Sequence, residues 1–435
     1  MTGRTTLSRR TWLLTACGGL LSHKLLSAQS AGSDLEPRVR DIIEQYSQQG
    51  FHRTGTTVDD RSGDWLFEHV SRIGLKPSRE TFALSRVDPG ACRLTVGGKP
   101  IEGLPLFDGA FTVADGIRGR LGQIGSDADI GLVAAPPNTA AAGPLGDARR
   151  QNRHKAIVFV TRGGRPGLCP SNADAFLKPF GPPVLQVSSD EWALLSDHAE
   201  RRSEIQFLAV AGRTPSTSFN VTATIPQSGS GSLPPLVIMT PRSGWYTCAS
   251  ERGGGIACWL EVMRTLSRAP LHRDVVFVAS SGHELGHLGI DAFVANRPGL
   301  VSSAVGWMHF GANIGAAVRP DAALSRAADD ADRRHATAAL SGGNTIQASD
   351  DAGEAMLSQA LTTNGLGISR RVPRGTVPGG EAEVVHRGGG KYVSVIGSNA
   401  LFHNLADAGA QTVSVTTVAR FIDAFTVIAR TLGAA

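Results

Sequence analysis

Apolar and polar positions at the start of the chain repeat with a helical period. Pro37 to Gln49 alternates apolar and charged residues on that spacing until Gly50-Phe51-His52-Arg53-Thr54-Gly55-Thr56 breaks it with turn chemistry. Asp64 to Ile73 reads as a second amphipathic helix, stopped by Gly74 as a left-handed cap, and Glu80 to Leu84 reads as a strand. Between about Gly98 and Gln206 the pattern shifts to short apolar runs, Ile130 to Ala134, Ala156 to Val160 and Val184 to Val187, separated by Gly, Pro and Asp. Such runs predict a small β-rich insertion. Ser216 to Pro226 reads as another strand, and Ser228 to Ser232 as a flexible Gly/Ser connection.

From Leu236 onward strands and helices alternate. Leu236 to Met239, Val275 to Ala279, Ala304 to Met308 and Tyr392 to Ile396 read as strands; Gly255 to Leu266, a segment near Asp291, Ala352 to Thr363 and Thr416 to Leu432 read as helices. This order predicts an α/β fold with a mixed, mostly parallel sheet and helices on both faces. The expected division is an export signal over 1–30, one α/β unit from 31–97 and 216–435, and the insertion at 98–215. Functional groups are expected on loops beyond the carboxyl ends of the strands.

Composition adds three constraints. With 41% apolar and 19% charged residues in 435, the chain has an ordinary globular balance, and no later stretch reads as a membrane span. Ser8-Arg9-Arg10-Thr11-Trp12-Leu13-Leu14, an apolar run and the small residues near Ala28-Gln29-Ser30 form a twin-arginine export pattern, which implies a periplasmic or secreted protein. The first thirty residues carry Arg4, Arg9, Arg10 and Lys24 and no acid, so their removal takes the formal net charge from +5 to +1 and leaves no argument for a nucleic-acid partner. Cys92, Cys169, Cys248 and Cys258 follow neither a zinc-knuckle nor a redox spacing.

The densest polar cluster is Ser280-Ser281-Gly282-His283-Glu284-Leu285-Gly286-His287-Leu288-Gly289, directly after the strongest strand. Read as H-E-x-x-H, it would bind zinc only if helical, and its three glycines and its place at a strand end argue against that. The segment resembles instead the Glu-Glu-x-Gly-Leu-x-Gly stretch of the co-catalytic zinc aminopeptidases, a family that also holds glutamate carboxypeptidases and glutaminyl cyclases. His52-Arg53-Thr54-Gly55-Thr56, Asn220-Val221-Thr222-Ala223-Thr224-Ile225 and Phe402-His403-Asn404-Leu405-Ala406-Asp407 are similar to other parts of that family in the same order, and the insertion resembles a protease-associated domain.

At the metal ligands the resemblance thins. The family's His-x-Asp-Ser appears as Thr240-Pro241-Arg242-Ser243, its bridging Asp corresponds to Ser250, its general-base Glu to His283, and a later Asp falls near Met308 or His309. Glu284 and His403 survive as ligand types. The resemblance therefore implies a hydrolase of amide or peptide-like bonds with a single zinc on Glu284 and His403, a third ligand from Glu251, His283 or His309, and His283 or His309 carrying protons. Arg252 and Arg242, if they face the cleft, suit an anionic small-molecule or peptide-like substrate, and His386 lies in the loop expected to shape its pocket. Two other readings stay open: a non-catalytic ligand-binding relative, and a metal-free lyase or cyclase using the same histidine-rich pocket. His287 and His309 also admit a purely structural role.

Overall fold

The computed structural model describes residues 34–229, 233–318 and 343–434, so the expected export segment lies outside the described residues. Four strands make the centre: β9 (Leu236–Pro241), β10 (Val275–Ser280), β11 (Gly306–Phe310) and β14 (Tyr392–Gly397). They pair in parallel in the order β14-β11-β9-β10. Antiparallel β12 (Asn344–Ala348) continues the sheet past β14, with β13 (Ile368–Arg371) beyond it, and antiparallel β8 (Glu204–Ile225) continues it past β10. The fold is thus a mixed, mostly parallel sheet with helices, as the alternating pattern predicts.

Both faces of the centre are covered, which is why its strands read as unbroken apolar runs. Successive residues of a strand point to opposite faces. On one side Leu236 and Ile238 join Val275, Phe277, Met308 and Phe310 in a core closed by α1 (Leu35–Ser47), α2 (Thr57–Ile73), α5 (Gly254–Leu266), α8 (Asp351–Thr363) and α10 (Val415–Ala434). Phe310 stacks on Phe425 of α10 with centroids 4.0 Å apart. On the other side Val237 and Met239 join Trp307 and Phe293 beneath α6 (Leu288–Ala295), α7 (Leu300–Ser303) and α9 (Ala382–Arg387).

Where the structure departs from the local pattern, longer-range pairing is the cause. The strands expected at Glu80 to Leu84 and Ser216 to Pro226 are parts of β1 (Ser78–Val96) and β8, which form one long antiparallel ribbon from Ser78↔Thr222 to Thr95↔Gln206. The ribbon continues past Pro89 and Gly90 because an irregularity between Pro89 and Cys92 takes them up, after which pairing resumes at Cys92↔Ala209. The short β2 (Lys99–Glu102) pairs with the end of β1, and beyond the ribbon lie β4 (Ile117–Gln123), β5 (Ile130–Ala135), β6 (Ala156–Thr161), β7 (Val184–Val187) and β3 (Leu104–Pro105), with α3 (Gly143–Gln151) and α4 (Trp192–Glu200). The strand expected at Ala304 to Met308 is displaced to Gly306–Phe310 and so includes His309. The helix expected from Asp64 begins at Thr57 instead, because the Thr56 hydroxyl accepts from the Asp59 amide and caps a first turn that the apolar periodicity does not mark. Among the described residues no helix is long and apolar enough to cross a membrane.

The turn before α2 is held by a buried imidazole. His52 stacks on Tyr46 at 3.8 Å, and its Nε2 meets the Tyr46 carbonyl at 3.0 Å. Burial pushes the His52 ring down to about 3. The folded state then binds fewer protons than the unfolded state between about pH 6.5 and 3, so this group's contribution is complete above the unfolded value and is lost as pH falls. Urea denaturation should show stability falling between pH 6 and 4 about 1.4 kcal/mol per pH unit more steeply in the wild type than in His52→Gln. In Phe310→Ala, the same assay at pH 7 should show a loss of about 3–5 kcal/mol.

Candidate active site

The parallel centre sends its carboxyl ends to one edge, and the loops there carry the chemistry. Arg242 and Ser243 follow β9, Ser281 to His287 follow β10, and Asn399 to Asp407 follow β14. Glu251 and Arg252 come from a π-type turn, Ala249–Gly253, that opens α5, and Glu381 stands immediately before α9. Four non-glycine residues at this edge hold left-handed backbone, Cys248 at φ 51°, His287 at φ 65°, Asn313 at φ 68° and His403 at φ 56°. Such outliers cost energy and cluster where a site over-determines the backbone.

Histidines gather around Glu381. One carboxylate oxygen accepts from His283 Nδ1 at 2.9 Å and the other from His309 Nε2 at 3.1 Å. Because a carboxylate only accepts, both imidazoles present N–H to it. His309 and Ser394 are register partners in β11 and β14, and the Ser394 hydroxyl lies 2.8 Å from His309 Nδ1, fixing the ring from its other side. The ring fits beneath the turn only because residue 380 is glycine: a Cβ there would lie 2.7 Å from His309 Cε1, and its φ of +67° favours glycine independently. Burial alone would raise the Glu381 carboxyl, but the His283 and His309 rings hold it well below the usual carboxylate range. His287, its ring centroid 5.1 Å from that of His283, is partly buried and is pushed by burial down to about 4.

The second cluster is Glu251, Arg252 and His403, all essentially inaccessible. Arg252 Nη2 lies 2.7 Å from Glu251 Oε1, and His403 Nε2 lies 3.4 Å from the same oxygen. Burial would raise Glu251, yet Arg252 and His403 hold it below the ordinary carboxylate range. His403 Nδ1 donates to the Pro170 carbonyl at 2.5 Å, which leaves Nε2 as the free ring position. Asp407 braces the turn by accepting from the Ser250 amide and hydroxyl and from the Glu251 amide, and burial lifts its carboxyl to about 6. The two clusters feel each other's charge, His283 on Glu251 and Glu381 on Arg252.

Three residues expected at the site are engaged elsewhere. Glu284 does not join His403 as a ligand: its carboxylate accepts from the Thr54 amide and the Ser243 hydroxyl, both at 2.7 Å, and ties the N-terminal turn to the loop after β9. Arg242 does not face substrate: it is wholly buried, with Nη1 2.7 Å from Asp59 Oδ1 and Nη2 donating to the Phe219 carbonyl. His386 lies on α9 with Nδ1 3.4 Å from the Tyr392 hydroxyl, and no contact joins it to either cluster. Conversely, Glu381 carries no motif in the sequence, where only the Gly379-Gly380 turn before it marks it.

The loop between β6 and β7 roofs the edge. Besides Pro170 on His403, the Ala173 amide donates to the Glu284 carbonyl at 2.9 Å, and Asn404 donates to the Pro166 carbonyl. Phe176 and Ala173 pack with Leu285, Leu288, Trp245 and Phe107. Glu251, Glu284 and Glu381 are fully buried in consequence, and His283 is 7% exposed.

Against known proteins, no family model and no curated sequence matches this chain. Solved structures do. A zinc aminopeptidase from Bacillus subtilis superposes with a TM-score of 0.70 at 15% identity over 90% of this chain and 93% of its own. An aminopeptidase from Aneurinibacillus gives 0.65 at 14% identity over 91% and 93%, and a peptidase precursor from Shewanella amazonensis 0.68 at 15% over 94% and 97%. The chain has the zinc-aminopeptidase fold.

The residues present do not fit a pair of zinc ions. Ser250 spends its hydroxyl on Asp407, Arg242 is paired with Asp59, Thr240 donates to the Phe310 carbonyl, and a guanidinium stands beside Glu251. A single ion is different: His283, His287 and Glu381 each place one donor atom within 4.8 Å of the others, an N,N,O set of the kind catalytic zinc accepts. Because Glu284 satisfies two buried donors, Glu284→Ala should cost about 3 kcal/mol in chemical denaturation while leaving bound metal per chain unchanged. A loss of metal at unchanged stability would return Glu284 to the ligand set.

Proposed function

We propose that this chain is an exported hydrolase of amide or peptide-like bonds that works with one metal ion, held by His283, His287 and Glu381. The observation that carries the reading is the convergence of these three side chains at the carboxyl edge of a zinc-aminopeptidase fold. When bound, zinc would lower the pKa of its water to roughly 7 and polarise the scissile carbonyl. His309 orients Glu381 through its second oxygen, an outer-shell contact that fixes a ligand's geometry. His403, whose Nε2 makes no hydrogen bond and lies 3.4 Å from Glu251, would act as the proton carrier for the hydrolysis, with Glu251 stabilising its imidazolium form. The twin-arginine pattern supports export of the folded protein, and residues 98–215 are read as a protease-associated-like cover whose roof confines the site to small or peptide-like substrates.

One observation favours a second reading. Glu381 already bridges two imidazoles, so the cluster forms a closed proton relay suited to a metal-free lyase or cyclase. Metal analysis of untagged protein, paired with hydrolysis of aminoacyl anilides and short peptides, separates the two. The first reading expects about one zinc per chain, activity that a chelator removes and zinc restores, and loss of both in His287→Ala. Protein that neither contains nor takes up metal yet turns over substrate would establish the relay instead.

A further inference from the structure

The Glu251, Arg252 and His403 cluster is not explained by holding that ion. Both Glu251 oxygens, His403 Nε2 and Arg252 Nη1 and Nη2 are buried and make no hydrogen bond of acceptable geometry. The Arg252 Nε–H alone is satisfied, donating to the Ser243 carbonyl at 2.8 Å. A carboxylate and an imidazole lone pair turned toward one another in a dry interior form a chelating pair, and burying them without a cation between them is costly. The Cys248 thiol borders the same space: a Cβ on Gly244 would lie 2.7 Å from Cys248 Sγ and 3.7 Å from Arg252 Nε.

We infer that Arg252 is a resident cation: its guanidinium, on the same Glu251 oxygen that faces His403, takes the place of a metal ion there and closes that half of the site to metals. A guanidinium is suited to the task because it stays protonated at every accessible pH and is less strongly hydrated than an ammonium or a divalent ion. It neutralises Glu251 at no dependence on metal supply. It also leaves the His403 lone pair outside any coordination sphere, which the proton-carrying role assigned to His403 requires; in that respect the inference rests on the proposed hydrolase reading. The space does hold a potential O and N donor pair, since Glu251 Oε1 lies 2.7 Å from the guanidinium and 3.4 Å from His403 Nε2, with the Cys248 thiol nearby, and zinc accepts all three ligand types.

The test counts zinc rather than turnover. Equilibrium dialysis against zinc is run on the wild type, Arg252→Ala, and Arg252→Ala combined with Glu251→Gln. Arg252→Ala should bind one more zinc per chain than the wild type, whatever number the wild type holds, and the double variant should fall back to the wild-type number. That difference is independent of the hydrolase reading, which stands or falls on the wild-type number itself. Thermal unfolding supplies the second readout: Arg252→Ala should unfold at lower temperature than the wild type, and zinc or guanidinium ion should raise its midpoint while leaving that of the double variant unmoved. A variant that folds only with zinc present supports the same assignment through stability. Arg252→Ala protein that zinc neither binds additionally nor stabilises would overturn it.

Discussion

The whole site depends on the parallel register of four short strands. Because β14, β11, β9 and β10 run the same way and are buried on both faces, their carboxyl ends finish at one edge and their loops cannot spread apart. Register does more than gather loops. It sets His309 beside Ser394 on neighbouring strands, so one imidazole is fixed by the sheet itself and the Glu381 carboxylate can be built against it. Helix packing on both faces then removes water from the charged groups at this edge.

Excluding water makes charge balance the second constraint. Buried carboxylates survive where partners compensate their desolvation. Asp59 has Arg242, Glu251 has Arg252 and His403, and Glu381 has His283 and His309, while Glu284 relies on an amide and a hydroxyl. Except for Arg252, which directly follows Glu251, each partner comes from a distant part of the chain. The result is a zinc-aminopeptidase fold whose edge is filled by imidazoles and guanidiniums, in which, among the described residues, His283, His287 and Glu381 bring three donor atoms within reach of one ion while a guanidinium stands beside Glu251.

The roof links this balance to the outlying strands. The β1/β8 ribbon carries the β4 to β7 region, and that region returns the loop whose Pro170 carbonyl fixes His403 and whose Ala173 amide fixes the Glu284 backbone. The pattern that marks residues 98–215 as a β-rich block therefore also marks the origin of the cover, although it says nothing of where the cover lands.

Sequence alone determined the parts that depend on local periodicity: the alternation of strands and helices after Leu236, the helices around Pro37 to Gln49 and Thr416 to Leu432, and the placing of His283 in a short glycine-bounded turn instead of an α-helix. It also named most of the residues at the edge, because they lie in the loops that follow the predicted strands. Only the tertiary structure decided which of them meet. Glu284 and Arg242 turn to buried partners, Thr54 and Asp59, whose positions depend on a cap at Thr56 and on a ribbon formed between strands far apart in sequence. Glu381 enters the site because a glycine turn drops it between two imidazoles. Hydrogen bonding and ion pairing in a dry interior are decided by distances of a few ångströms between remote segments, and one-dimensional spacing does not carry that information.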